Sequence, residues 1–294
     1  MINIGLTTAK QAELRPNSWA VYDQTSGKRI TFFELDELVK KTANGLMSLG
    51  LKKGDRVSIL SQNSIEFLSL FFACGRVGLV AHALNWRLGV DELAQILKNG
   101  EPSVIITQGK FQSGAKDLQK KIDFIDHWLE YDVDSDHSFN LLLDKSPSTE
   151  PIVAEDIGDE DPFFILYTGG TTGVSKGALH THKSAYFGML NQTVAERIVP
   201  SDVYMLTGQM FHIPVLLAMN YTSHGCPIVL MNFDAELALN LIQEEKVSGF
   251  LGITTMLNWM LAVEGFDNFD LSSLRCVQYG GGPMPTRVIE EVLQ

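Results

Sequence analysis

Residues 163–177 read Phe163-Phe164-Ile165-Leu166-Tyr167-Thr168-Gly169-Gly170-Thr171-Thr172-Gly173-Val174-Ser175-Lys176-Gly177. The first five of these residues are apolar or aromatic, which is typical of a buried strand. The strand runs directly into a loop that contains four glycines, four hydroxyl side chains and one lysine. The stretch therefore predicts a buried strand that ends in an open, glycine-rich loop.

The composition of this loop suits a polyphosphate. Glycines let backbone N–H groups approach an anion, and hydroxyls donate hydrogen bonds to phosphate oxygens. Thr172 is the candidate for helping to hold Mg²⁺, and Lys176 supplies a mobile positive charge. Two familiar phosphate loops do not match. Gly177 follows Lys176 where a Walker A loop needs Ser or Thr, and Thr171 stands where the dinucleotide fingerprint needs Gly.

Outside this loop the chain alternates short apolar runs with helical patterns, which predicts parallel strands with helices packed on their faces. Strands are expected at 56–60, 79–84, 104–107, 228–231, 249–253 and 276–279, and helices at 65–75, 91–98, 235–245, 256–263 and 286–294. Residues 108–160 are more polar, and the acidic stretch 144–161 is interpreted as a surface connection. We therefore expect an α/β fold with one subdomain region over 1–160 and a second over 161–294.

Composition excludes several classes of protein. The 294 residues carry 23 Lys and Arg against 35 Asp and Glu, a net charge of −12, which argues against a general nucleic-acid binder and against docking on an anionic membrane. Residues 203–233 lack charged side chains, but Gly, Pro and His interrupt them, so a buried strand–helix–strand is favoured over a transmembrane span. The N-terminus has no signal-peptide pattern. Cys74, Cys226 and Cys276 have no metal-ligand spacing, which predicts three buried free thiols and a cytoplasmic location.

Five segments, in order, resemble motifs of the adenylate-forming superfamily, which includes acyl-CoA synthetases, 4-coumarate–CoA ligases, firefly luciferase and peptide-synthetase adenylation domains. The loop at 167–177 is similar to the family signature, with Ser175 where Pro is usual. The other four segments are 29–35, 83–88, 210–212 and 280–284. Later family motifs are absent: the Glu that helps bind Mg²⁺, the Asp that holds the ribose, and the mobile C-terminal domain. The apolar stripe of 286–294 also ends without a cap. We therefore expect the front portion of a longer enzyme.

The resemblance implies a two-step reaction. A carboxylic acid and ATP give acyl-AMP and pyrophosphate, and CoA then takes the acyl group. It implies that the loop binds ATP together with Mg²⁺, and that Lys176 is also a catalytic residue. The residues that would bind ATP are Thr168, Gly169, Gly170, Thr171, Thr172, Gly173 and Lys176. It also places His212 beside the substrate carboxylate, and Gly280, Gly281 and Gly282 against the adenine and the acyl chain. A core histidine and an ordinary strand-to-helix turn are the alternative explanations of these two segments.

Three hypotheses about activity remain open at this point. The first is a CoA ligase for a fatty or aromatic acid, of which this chain alone would be inactive. The second is a nucleotide-binding fragment or pseudoenzyme, and the third is a peptide-synthetase adenylation domain. His212 favours the first over the third, because the amino-acid enzymes usually carry Asp near this place. The partners expected are a small carboxylic acid, ATP and CoA, with no nucleic acid. The oligomeric state is open, a homodimer included.

Overall fold

The structure is a computed structural model that describes residues 2–135, 137–168 and 175–293. These residues form two six-stranded sheets with the orders β12-β11-β9-β10-β1-β2 and β6-β5-β3-β4-β7-β8. We call them the first and the second sheet. The strands of the first sheet are β1 (Trp19–Asp23), β2 (Lys28–Thr31), β9 (Tyr204–Leu206), β10 (Ile228–Leu230), β11 (Gly249–Leu251) and β12 (Cys276–Gln278). Those of the second are β3 (Arg56–Leu60), β4 (Val80–Leu84), β5 (Val104–Gln108), β6 (His127–Tyr131), β7 (Pro162–Thr168) and β8 (Lys176–Thr181).

The helices cover both faces of each sheet. They are α1 (Thr7–Leu14), α2 (Phe32–Ser48), α3 (Ile65–Val77), α4 (Val90–Gly100), α5 (Gln112–Gln119), α6 (Phe139–Lys145), α7 (His182–Glu196), α8 (Pro214–Ser223), α9 (Ala235–Glu245), α10 (Thr254–Leu261) and α11 (Thr286–Val292). Within each sheet the strands pair in parallel, except for the antiparallel pairs β1–β2 and β7–β8. The expected α/β class with mostly parallel sheets is therefore confirmed.

The described residues form two sheets and three layers of helices, five layers in all, with a hydrophobic cluster in each helix layer. The largest cluster lies between the sheets and contains buried residues of α2, α3, α7 and α8. A second cluster packs α9 and α10 on the outer face of the first sheet, and a third packs α4 and α5 on the outer face of the second sheet. Because helices lie on both faces of each sheet, the inner strands β4, β9 and β10 are buried on both sides.

Helix α3 is the central element of the middle layer. Every residue of this helix except Glu66 is buried, as the apolar run at 65–75 predicts. Its start is fixed by Ser64, whose hydroxyl accepts a hydrogen bond from the amide of Phe67, and its end by Gly78 at φ 75°. Arg76 is the charged exception, and it forms ion pairs with Asp36 and Glu150. The sequence pattern thus determined both the position and the burial of this helix.

The division of the chain between the sheets differs from the division expected at residue 160. Strands β7 and β8, which follow residue 160, join the second sheet with β3–β6, whereas β1 and β2 join the first sheet with β9–β12. The polar stretch 108–160 is also more ordered than a simple connection, because it contains α5, β6 and α6. Residues 146–160 and the shorter segment 120–126 lack helix and strand. The pairing of strands that are distant in the sequence, which no local pattern encodes, causes the first of these differences.

The uncharged stretch 203–233 folds as β9, α8 and β10, which confirms the strand–helix–strand interpretation. Over the part of the chain that the structure describes, no helix combines the length and the apolar character that a membrane span needs. All three cysteines are free thiols; Cys74 and Cys226 are buried, but Cys276 is only half-buried at the start of β12. The expectation of three buried thiols is therefore wrong for Cys276.

Candidate functional site

The two sheets meet where their parallel strands end. Asn63, three residues beyond the end of β3, is the main link, and it is 3% exposed. Its Nδ2 donates to the carbonyl oxygens of Gly208 at 2.8 Å and Met231 at 3.0 Å, and its Oδ1 accepts from the amide of Met210 at 2.9 Å. Gly208 follows β9 and Met231 follows β10. One side chain therefore fixes the carboxyl end of a second-sheet strand against the carboxyl ends of two first-sheet strands.

A second link lies beside the first. Trp86, two residues beyond β4, donates from its indole Nε1 to Oε1 of Gln209 at 3.0 Å. Its ring stacks on Phe111 at 5.8 Å and meets Phe211 edge-on at 6.3 Å. The exposed guanidinium of Arg87 lies 5.0 Å from the Trp86 ring and 5.8 Å from the Phe211 ring. These contacts bring two of the predicted segments, 83–88 and 210–212, together at one edge.

His212 lies at this junction and is exposed, so it is not a core histidine. Its amide donates to the carbonyl of Gln209 at 3.1 Å, and its ring stands edge-on to Phe211 with centroids 4.6 Å apart. Desolvation by the surrounding protein, and then the positive charge of Arg87, lower the pKa of the imidazole. At neutral pH the ring is therefore uncharged, with one nitrogen able to donate and the other able to accept a hydrogen bond.

The hairpin β7–β8 carries the glycine-rich loop at the same edge. Strand β7 runs parallel to β4, with Leu166 opposite Ala83, so Thr168 lies level with the start of the segment that contains Trp86. Thr168 and Lys176 face each other as the last pair of the hairpin, and both are exposed. The predicted loop residues Gly169, Gly170, Thr171, Thr172 and Gly173 lie outside the described residues.

The glycines 280–282 form the turn between β12 and α11, at the carboxyl end of a first-sheet strand. Gly281 has φ 78°, a backbone conformation that other residues adopt only with strain. Gly280 and Gly282 have no such conformation, and a Cβ added at either would meet no described atom within 4 Å. Folding alone thus explains one of the three glycines, and the other two leave open space above the strand end.

Thr254 begins α10 and connects two loops. Its hydroxyl donates to the carbonyl oxygen of Pro283 at 2.9 Å, directly after the glycine turn. The segment after β11 is therefore linked to the turn after β12, a role that sequence reasoning missed.

His180 and His182, which follow the glycine-rich loop, stack on neighbouring phenylalanine rings; His182 is buried and His180 is half-buried. His180 stacks on Phe164 at 4.5 Å, and His182 stacks on Phe163 at 4.8 Å. Burial lowers the pKa of His182 to about 4. The described residues contain no group of three or more His, Cys, Asp and Glu side chains that could hold a metal ion.

Sequence reasoning did not single out Asn63 and Gln209, which make the links between the sheets. A usable signal was present for both, since polar side chains directly after predicted strands collect at one edge of a parallel sheet. What the sequence lacked was the information that the edges of two different sheets would face each other.

Comparison with known proteins agrees with this geometry. A family model described as AMP-binding enzyme matches residues 8–294. The long-chain-fatty-acid–CoA ligase FadD13 of Mycobacterium tuberculosis is 30% identical over 295 residues, which cover 99% of this chain and 57% of that protein. A feruloyl-CoA synthase of a Streptomyces species is 29% identical over 299 residues, covering 99% of this chain and 56% of that protein.

Solved structures give the same result for the fold. The inhibitor-bound N-terminal domain of FACL13 from Mycobacterium tuberculosis matches with a TM-score of 0.93 at 30% identity, covering 100% of this chain and 73% of that one. The chain spans about half the length of the curated relatives it matches, 57% of the first. With the family model matched over nearly all of its residues, this chain belongs to the AMP-binding enzyme family.

Proposed function

We propose that this chain is the nucleotide- and acid-binding front portion of an AMP-forming carboxylate–CoA ligase for a fatty or aromatic acid. The observation that carries the proposal is that the β7–β8 hairpin, the His212 segment and the glycine turn at 280–282 all follow the carboxyl ends of strands, in two sheets that Asn63 and Trp86 join at those ends. Parallel α/β sheets bind ligands at the carboxyl ends of their strands, and here two sheets contribute such ends to one place. The chain alone is expected to bind ligands without turnover.

The first chemical step brings a carboxylate towards the α-phosphate of ATP, so two anions must approach each other. Positive charge and oriented N–H groups lower the barrier of such a step. Lys176 suits this task, because it is exposed at the end of the hairpin and has no ion pair among the described residues. Thr168, its partner across the hairpin, places a hydroxyl at the same end. Mg²⁺ held with Thr172 would neutralise further phosphate charge.

His212 and Arg87 suit the acid. The neutral imidazole of His212 still carries one N–H group, which can donate a hydrogen bond to a carboxylate oxygen of the acid. The guanidinium of Arg87, held over two aromatic rings, places a positive charge beside it. A guanidinium in this position is suited to an anionic group of a substrate, whether carboxylate or phosphate.

The glycine turn fits an adenine or an acyl chain. Above Gly280 and Gly282 the described residues leave room that a side chain would fill, and no backbone conformation requires glycine at either position. A flat ring or a hydrocarbon chain can therefore approach the bare backbone there.

The neighbouring side chains favour a plain acid over an amino acid. Ile213, Ile253 and Tyr279 are exposed apolar side chains that follow β9, β11 and β12. Segments 207–213 and 278–284, which lie at this edge, contain no Asp or Glu that could hold an ammonium group. A fatty or aromatic acid is thus the better match. The three free thiols suit a cytoplasmic enzyme that uses CoA.

The test is ligand binding to the 294-residue chain by isothermal titration calorimetry. Non-hydrolysable acyl-AMP mimics, sulfamoyl adenosines that carry an octanoyl, a cinnamoyl or a leucyl group, are compared with ATP. The octanoyl or cinnamoyl mimic is expected to bind more tightly than ATP and than the leucyl mimic. Lys176→Ala is expected to weaken ATP binding at least about tenfold, while the matched change Lys183→Ala, also at an exposed lysine, leaves ATP binding unchanged.

Each alternative gives a different result. Preference for the leucyl mimic would indicate a peptide-synthetase adenylation domain. ATP binding with no gain from any acyl group would indicate a nucleotide-binding protein without ligase chemistry. Absence of ATP binding would refute the proposal. Acyl-CoA formation by this chain alone would refute the expected inactivity.

A further inference from the structure

A cavity lies beside β5 and β6, on the side of the second sheet that is opposite the β7–β8 hairpin. It has a volume of about 280 Å³ and lies between α5 and the outer face of β5 and β6. Four of its lining residues, at positions 112, 115, 116 and 119, share one face of α5. Its other lining residues are Thr107, Trp128, Leu129, Glu130, Ser135 and His137.

The inner end of this cavity contains two buried hydroxyl groups without a partner. Thr107 is 1% exposed, and on β5 it points to the same side as Ile105, towards the α4–α5 layer. Neither Thr107 Oγ1 nor Ser135 Oγ has a hydrogen-bond partner among residues 2–135, 137–168 and 175–293. Buried hydroxyls are normally paired, because an unpaired one costs about 1–3 kcal/mol of desolvation. Their position in a cavity leaves both hydroxyls available to a bound molecule.

A carboxylate stands beside these hydroxyls. Gln112 donates to Oε2 of Glu130 at 3.1 Å, and no described residue donates to the other carboxylate oxygen. The backbone fixes the position of Glu130, whose amide donates to the carbonyl of His137 at 2.9 Å. The cavity thus offers three oxygen acceptors: one carboxylate oxygen and two hydroxyls. Trp128 and Ala115 add apolar surface to the cavity wall.

We propose that this cavity is a binding site for the primary ammonium group of a small molecule. A primary ammonium has three N–H donors and no acceptor, which matches the three oxygens of Thr107, Ser135 and Glu130 in number and type. The negative charge of Glu130 balances its positive charge, and the indole of Trp128 adds a surface suited to a cation or to the attached carbon chain. The volume is sufficient for a molecule of amino-acid size.

Lys116 and His137 decide which kind of amine the site takes. Both line the cavity, and both are exposed at its opening. An α-amino acid would place its carboxylate near these groups, whereas a simple amine would leave them in solvent. Both kinds of ligand, the amino acid and the simple amine, carry the ammonium group, and the experiment below distinguishes between them.

Calorimetry on the 294-residue chain, with tryptophan fluorescence as a second readout, tests the proposal. The probes are n-butylammonium chloride, L-norleucine, n-butanol as the neutral control and tetramethylammonium as a cation without N–H donors. Saturable binding is expected for n-butylammonium or for L-norleucine, and for neither control. Tighter binding of norleucine would assign the natural ligand to amino acids, and tighter binding of butylammonium would assign it to simple amines. The fluorescence change is expected to disappear in Trp128→Phe.

Two substitutions test the oxygens, and one controls for folding. Glu130→Gln and Thr107→Val are each expected to weaken binding about tenfold or more, the effect of losing a hydrogen bond to a charged group. Thr42→Val is the matched control. Thr42 also has a buried hydroxyl without a described partner, but it lies on α2, which does not line the cavity. It is expected to leave binding unchanged. Equal responses to butanol or tetramethylammonium, unchanged binding in both cavity variants, or no binding of either amine would overturn the proposal; in that last case water would fill the cavity.

Discussion

Replacement of Asn63 by Ala is the sharpest test of how the candidate site is built. The change removes three hydrogen bonds and leaves the carbonyl of Met231 and the amide of Met210 buried without partners. Each such group costs about 1–3 kcal/mol, so the free energy of unfolding is expected to fall by about 3–5 kcal/mol. With an unfolding entropy of about 0.6 kcal/mol/K for a chain of this length, the melting temperature falls by about 6 °C.

Asn44→Ala is the matched control. The amide of Asn44 also donates to two backbone carbonyls, those of Pro147 and Thr149, at 2.9 Å each, but these groups are accessible to water. Water replaces the lost donor there, so the expected loss is about 1 kcal/mol or less. Urea unfolding followed by circular dichroism measures both variants. Equal losses in the two would refute the conclusion that Asn63 holds the sheets together.

Asn63→Asp adds a dependence on pH. An ionised carboxylate accepts but does not donate, so at neutral pH it opposes the carbonyls of Gly208 and Met231 and the variant is destabilised. Burial raises the pKa of this carboxyl in the folded state above that in the unfolded state. The deficit relative to the wild type should therefore shrink as the pH falls through the raised pKa. A deficit that is constant from pH 7 to pH 4 would contradict this reasoning.

Three further changes have distinct expected outcomes. Arg76→Met removes one of the two cations that pair with the buried carboxylate of Asp36, the other being Lys40, and should cost about 2–3 kcal/mol in urea unfolding. Lys120→Met, at an exposed ion pair, should have no measurable effect. Burial lowers the pKa of His82 to about 3. Between pH 6.5 and 3 the imidazole is therefore protonated in the unfolded state but neutral in the folded state, so the free energy of unfolding decreases as the pH falls through this range. In His82→Asn, the slope of stability between pH 6.5 and 5 should be smaller than in the wild type. Thr254→Ala frees the glycine turn and should weaken ATP binding several-fold while unfolding changes by about 1 kcal/mol or less; a full loss of stability would show that the hydroxyl serves folding instead.

Local patterns in the sequence predicted the elements well, because the period of apolar residues reports directly on burial. Helix α9 lies where expected, at Ala235–Glu245, and β3 at Arg56–Leu60. The glycine-rich stretch predicted a strand followed by a loop; β7 covers Pro162–Thr168, and loop residues 169–174 lie outside the described residues. The polar stretch 108–160 was less informative, since α5 and α6 are short and have few buried residues.

The sequence by itself thus determined the class of fold, the position of most strands and helices, and the residue types suited to phosphate and acid. Only the tertiary structure decided that β1 and β2 leave the N-terminal part of the chain for the first sheet, and that β7 and β8 join the second. It also decided that Asn63, Trp86 and Gln209 bring two sheet edges together. The physical reason is that the burial and hydrogen-bonding demands of one residue are local. The choice of a strand's neighbours instead depends on packing between segments that are distant in the sequence, such as those of Val21 and Ile228.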